Sequence, residues 1–111
     1  AEAVLRGGTG GDIPTAVGYV NQIRTRAGAT AVTATDLTLD FILAERGREL
    51  FWECHRRTDL VRFDKFTGSS KIWQWKGGVK NGTSTEPYRN LMPIPSRAIQ
   101  ANPTLKQNPG Y

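Results

Sequence analysis

Glu45, Glu49 and Glu53 recur at every fourth residue. On a helix that spacing stacks the three carboxylates on one face, with neighbouring Cβ atoms about 5–6 Å apart. Such a separation is close to the roughly 5 Å between the two carboxyl groups of a retaining glycosidase. A general acid also needs its pKa raised, by burial or by an unbalanced like charge. Here the neighbours have the opposite sign. Glu45 has Arg48 three residues on, Glu49 has Arg46 three residues back, Glu53 faces Arg56 and Arg57, and Asp59 faces Arg56 and Arg62. Cations at that spacing hold carboxylates ionised, which suits a structural ion-pair lattice of Glu45, Arg46, Arg48, Glu49, Glu53, Arg56, Asp59 and Arg62. No catalytic residue is assigned on this pattern. A glycoside hydrolase using Glu45 and Glu49 stays open as the alternative.

Other chemistry is poorly provided for. Cys54 and His55 are the only thiol and imidazole, too few for a tetrahedral zinc site, and as helical neighbours they point about 100° apart, poorly placed for a nucleophile pair. Neither a metal nor a cofactor is expected. GGTGGD at 7–12 lacks the glycine spacing of a phosphate loop and reads as a turn. The net charge of +5 comes from fifteen Lys/Arg against ten Asp/Glu with no basic run, so nucleic acid is not an expected partner.

The carboxylates need a helix, and the sequence provides one. Thr38 caps it, Leu37 can staple onto Ile42, and Asp40 suits the positive end of the helix dipole. From Leu39 the helical pattern continues to Phe63, with a break expected near Cys54–Thr58, and puts Leu39, Ile42, Leu43, Leu50 and Phe51 toward a core. Gly47 in mid-helix costs about 1 kcal/mol relative to Ala, which suggests a neighbour packed against the backbone there. Upstream, AEAVLRGG reads as a half helix without a cap. A second helix is expected over 14–27, capped by Asp12, with Pro14 in its first turn and Ala16, Val17, Val20, Ile23 and Ala27 on its apolar stripe. Arg24 and Arg26 suit its negative end and Gly28 its stop. Joined through GGTGGD, the two helices would make a helical hairpin.

Beyond Phe66 the pattern changes. Residues 69–88 contain Ile72, Trp73, Gln74 and Trp75, then Gly-Gly and an Asn-Gly turn signal, consistent with a short hairpin or an ordered long loop. In extended backbone Trp73 and Trp75 would share a face. Pro93 and Pro95 enforce extended chain, Ser96 can cap one short helix ending before Asn102, and NPTLKQNPGY closes the sequence with two Asn-Pro corners. A chain end so constrained reads either as a disordered tail that happens to contain proline or as a strap pinned to a larger body, with Leu105 and Tyr111 as its large apolar groups.

Three motifs in order carry a resemblance: ERGREL at 45–50, RRTDLVRF at 56–63, and PIP followed by NPTLKQNPGY at the end. Together they are similar to the C-terminal segment of the SusD/RagB family of nutrient-uptake lipoproteins. AEAVLRGG and VNQIRTRAG resemble that family's last tetratricopeptide-like helix pair. The sequence departs from the family pattern at Cys54, where a glycine is usual, and at Thr58, where an aromatic is usual.

The resemblance implies a mostly α fold: a tetratricopeptide-like helical hairpin, a long charged helix and an irregular, loop-rich C-terminal part, with residues 1–111 forming the C-terminal segment of a larger chain. It implies a non-enzymatic glycan-binding protein of the bacterial outer membrane, exposed at the cell surface and held by a lipid anchor upstream of this sequence. Expected partners are an oligosaccharide or polysaccharide, a SusC-like TonB-dependent transporter and the remainder of its own chain. The residues able to stack on sugar are Trp73, Trp75 and Tyr88, which offer large amphipathic faces; the other reading of them is as wedges that close the loop over the helices. A tetratricopeptide-like adaptor for other proteins is a further alternative and would need Tyr19 and Arg24 open to solvent.

Overall fold

A computed structural model describes all 111 residues. It contains five α-helices and no strand: α1 (Glu2–Leu5), α2 (Ile13–Arg26), α3 (Leu39–Glu49), α4 (Arg56–Arg62) and α5 (Ser96–Ala101). The mostly α expectation holds. The chain divides into two compact units, Ala1–Arg56 and Arg57–Tyr111. No helix is long and apolar enough to cross a membrane.

The first unit is built on α2 and α3, with α1 packed against both. Asp12 accepts from the Thr15 amide at 2.8 Å and Thr38 from the Phe41 amide at 3.1 Å, so both helices begin at the expected caps. Ala16 and Val20 of α2 are buried, as are Ile42 and Leu43 of α3 and Leu37 just ahead of it. Ala27 is exposed and Ile23 partly so, which makes the apolar stripe of α2 shorter than its pattern. The connection between α2 and α3 is tied down by Asn21: its side-chain amide donates to the Val32 carbonyl at 2.9 Å and accepts from the Val32 amide at 2.8 Å.

The long helix breaks earlier than expected. α3 ends at Glu49, and Leu50–Cys54 form turns in which Trp52 and Cys54 have φ of 67° and 61°. Once the helix stops, its periodicity no longer applies to Phe51. That ring is 73% exposed, against the expectation of a core position. The break returns the chain over α3, where the Arg56 guanidinium donates to the Leu43 carbonyl at 2.7 Å. A Cβ at Gly47 would lie 2.8 Å from Arg56 Nη1, so Arg56 is the close neighbour that the mid-helix glycine accommodates.

Two expected results follow from this segment. In wild type, Gly47→Ala should destabilise by about 1 kcal/mol, because displacing a charged donor from Leu43 outweighs the helix-propensity gain. In an Arg56→Ala background the same change should instead stabilise by about 1 kcal/mol. A double-mutant cycle in urea reads the reversal, and equal effects in both backgrounds would refute the contact. A non-glycine residue in left-handed backbone costs about 1–2 kcal/mol, partly offset by the extra unfolded-state entropy of glycine. Cys54→Gly should accordingly raise stability by about 0.5–1 kcal/mol, seen as a higher urea midpoint; an unchanged or lower midpoint contradicts the strain.

In the second unit Leu60 and Phe63 are buried. Arg57 stacks 4.8 Å from the Phe66 ring centroid and donates to the Arg89 and Asn90 carbonyls at 2.8 and 3.2 Å. Gly68 and Thr85 form one antiparallel bridge, and the Thr85 hydroxyl donates to the Phe66 carbonyl at 3.1 Å. Residues 69–84 between these anchors form an ordered loop rather than a hairpin. α5 starts at Ser96 itself, with Pro95 in the cap position and no side-chain cap, so Ser96 does not serve as the expected cap.

The chain end is pinned within this unit. Pro93 and Pro95 have no amide hydrogen, which leaves Ile94 as the donor between them. The Gln107 side chain accepts from the Ile94 amide at 2.8 Å and donates to its carbonyl at 2.9 Å, acting as a strand would. Asn108 donates to the Met92 carbonyl at 2.7 Å, and the Tyr111 hydroxyl to the Leu91 carbonyl at 2.9 Å. The Tyr111 ring meets Tyr88 edge to face, with centroids 4.9 Å apart.

Candidate functional site

The carboxylates of α3 border a cleft of about 470 Å³ in the first unit, together with Glu2, Tyr19, Ile23 and Ile42. Position alone would suit an acid or base, but the electrostatics do not. Glu45 accepts from Arg24 Nη1 through both oxygens, at 3.1 and 3.0 Å, and from Arg48 Nε at 3.0 Å with a second short bond from Arg48 Nη2. Both guanidinium groups lie over the Phe41 ring, their Cζ atoms 5.6 and 5.9 Å from its centroid. Burial pushes the Glu45 carboxyl up, yet the bonds and charges of Arg48 and Arg24 outweigh it and hold the group below its ordinary value.

Spacing gives the Glu45–Arg48 and Asp59–Arg62 pairs, and further partners come from α2. Glu49 pairs with Arg26 of α2, and Arg24 serves Glu45 while its Nε donates to the Thr30 carbonyl at 2.6 Å. Arg62 donates to Asp59 at 2.7 Å, and Asp59 is buried. Glu53 is exposed, and Arg56 is bound to Leu43. Helix spacing could supply only the i, i+3 half of this arrangement. The other half joins α2 to α3, and the basic ends of α2 were its only signal.

The aromatic residues are placed very differently from one another. Trp75 is 66% exposed and takes a φ of 66°, so the backbone is not extended and the premise for a shared Trp73–Trp75 face fails. Trp73 is 44% exposed, and the Lys76 ammonium sits 4.9 Å from its ring centroid. Lys76 is itself buried and donates to the Lys71 carbonyl at 2.8 Å, which fastens the loop from inside. Tyr88 is already engaged, with the Tyr111 edge at its ring, the Arg89 guanidinium 5.2 Å from its centroid and Gly110 against its face. Of the three rings, the two indoles are the ones with substantial open surface.

One aromatic pair escaped the sequence reading. Phe51 and Trp52 have centroids 6.0 Å apart, and Trp52 is 89% exposed. With Gly47, Leu50, Cys54 and Arg56 they border an open bowl of about 680 Å³. A helical reading through Leu50–His55 hid them, since nothing there but residues of middling helix propensity marks a break. On α2, Tyr19 is exposed while Arg24 is occupied by Glu45 and Thr30. An adaptor groove that needs both is thus only half supplied.

The family model described as the SusD family matches residues 1–111. The starch-binding protein SusD of Bacteroides thetaiotaomicron is 44% identical over 111 residues, which is 100% of this chain and 19% of that protein. The SusD-like protein P25 of Formosa agariphila is 35% identical over 103 residues, 84% of this chain and 19% of that one. The chain thus spans about a fifth of the length of these curated relatives.

Proposed function

We propose that this chain, which belongs to the SusD family, is the C-terminal scaffold of a glycan-capturing protein that holds carbohydrate without cutting it. The observation that carries the reading is a match over the full 111 residues to a family whose similar relatives include a starch-binding protein. The electrostatics of α3 support the second half: a carboxylate clamped by two guanidinium groups neither holds a proton to donate nor is free to accept one. Within the chain, Trp73 and Trp75 are the sugar-stacking candidates.

The intact protein would be held at the bacterial outer membrane by an upstream lipid anchor and pass its ligand to a SusC-like TonB-dependent transporter, as the family resemblance implies. α1 and α2 would be the last tetratricopeptide-like pair. The exposed Phe51–Trp52 pair and the fivefold greater length of the relatives support packing against further chain.

Native electrophoresis through gels containing amylopectin tests binding. Retardation is expected, with a loss of about tenfold in affinity when Trp75 is changed to Ala, the value of one good stacking contact. No new reducing ends should form during incubation. Hydrolysis abolished by Glu49→Gln would replace this reading with the glycosidase one.

A further inference from the structure

We propose that the polar groove beside the 3-10 turn Pro87–Asn90 is a subsite for a neutral sugar ring, an inference that rests on the glycan reading above. The groove has a volume of about 360 Å³ and is lined by Gly77, Thr83, Ser84, Thr85, Glu86 and Arg89. Its two charged groups are set by the turn itself. Glu86 flanks the turn on its N-terminal side, and the Arg89 amide donates to the Glu86 carbonyl at 3.1 Å. Glu86 lies in extended backbone just ahead of the turn and Arg89 within it, and both border the groove.

The two do not neutralise each other. Arg89 rests on the Tyr88 ring, Glu86 is exposed, and neither side chain is in an ion pair. A planar acceptor and a forked donor therefore border the same groove with neither committed to an ion pair. Vicinal hydroxyls of a pyranose ring use both at once, donating to the carboxylate and accepting from the guanidinium. The hydroxyls of Thr83 and Ser84 add further donors and acceptors along the wall. The hydroxyl of Thr85 does not take part, because it is committed to Phe66 and holds the wall in place.

The lining also selects among ligands. The lining carries one charge of each sign, so it offers an anionic ring no net attraction, and a surface of hydroxyls and charges gives an apolar ligand little to bury against. The volume lies at the small end of the range of about 300–1,000 Å³ for ligand clefts, which suits a short stretch of saccharide. Trp75, two residues before Gly77 on the same loop, carries an open indole from which a longer chain could continue.

Titration of the 15N-labelled chain with maltoheptaose, followed by amide and indole signals, tests the subsite. Signals of Thr83, Ser84, Glu86 and Arg89 should shift saturably. Glu86→Ala and Arg89→Met should each weaken binding about tenfold, as expected for loss of a charge-assisted hydrogen bond. Both side chains are exposed, so the variants should melt as wild type does in circular dichroism. Shifts confined to the Trp73 and Trp75 indoles, with both variants binding like wild type, would remove the groove and leave the glycan reading standing. No shift of any signal at millimolar maltoheptaose would overturn both.

Discussion

Glu45→Gln is expected to destabilise the first unit by about 2–3 kcal/mol. Breaking one partner of a buried pair costs about 3–5 kcal/mol, whereas exposed pairs contribute about 0–1 kcal/mol. The Arg24 and Glu45 side chains retain 15% and 14% exposure, nearer the buried case. Glu45 also ties Arg48 and holds two guanidinium groups over Phe41, so the neutral amide leaves two cations without their common anion. Arg24→Met should give a loss of similar size, since it removes the cross-helix bonds while keeping an apolar stem over the ring.

The same pair makes stability depend on acid. Because the Glu45 carboxyl is held below its ordinary value of 4.5 in the folded chain, the unfolded chain takes up a proton there first as pH falls. The stabilisation is present in full above pH 4.5 and is lost as pH drops through the lower folded value. Urea unfolding between pH 7 and pH 3 should show a steep acid limb in wild type and a shallower one in Glu45→Gln. Parallel limbs would mean that Glu45 is not the group responsible.

Gly110→Ala should cost the second unit about 2–3 kcal/mol. Its φ of 93° lies where side chains are strained, and a Cβ there would reach Tyr88 Cδ1 and Cδ2 at 2.7 and 2.8 Å. The strain alone amounts to about 1–2 kcal/mol. Displacing Tyr88 also endangers its edge-to-face pair with Tyr111, worth about 0.5–1.5 kcal/mol. Amide exchange should reveal the change as lost protection at Ile94 and Asn108, where the strap is bonded, before the unit unfolds. Tyr111→Phe is the milder control: it keeps the ring pair, removes the bond to Leu91 and should cost about 1 kcal/mol or less. If Gly110→Ala melts like wild type, the strap is not clamped at Tyr88.

The amino-acid sequence by itself determined what depends on near neighbours. Asp12 and Thr38 start their helices at the expected positions because a cap needs only its own first turn, and the mid-helix Gly47 signalled a close neighbour because its cost is local. Prolines at 93 and 95 told of a constrained chain end for the same reason, and the motif order told of the family. Tertiary structure alone decided the partners. Arg24 and Arg26 reach Glu45 and Glu49 only because the last turn of α2 comes within side-chain reach of α3, a proximity that no i, i+3 rule contains. The stop at Glu49 follows from a chain that turns back to set Arg56 on Leu43, and that turn puts Phe51 outside and Trp52 and Cys54 in left-handed backbone. Left-handed backbone at Trp75, next to the buried Lys76, breaks the period-two pattern that would have aligned the two indoles. In the first two cases a contact between residues distant in sequence outweighed a local preference worth about 1 kcal/mol or less.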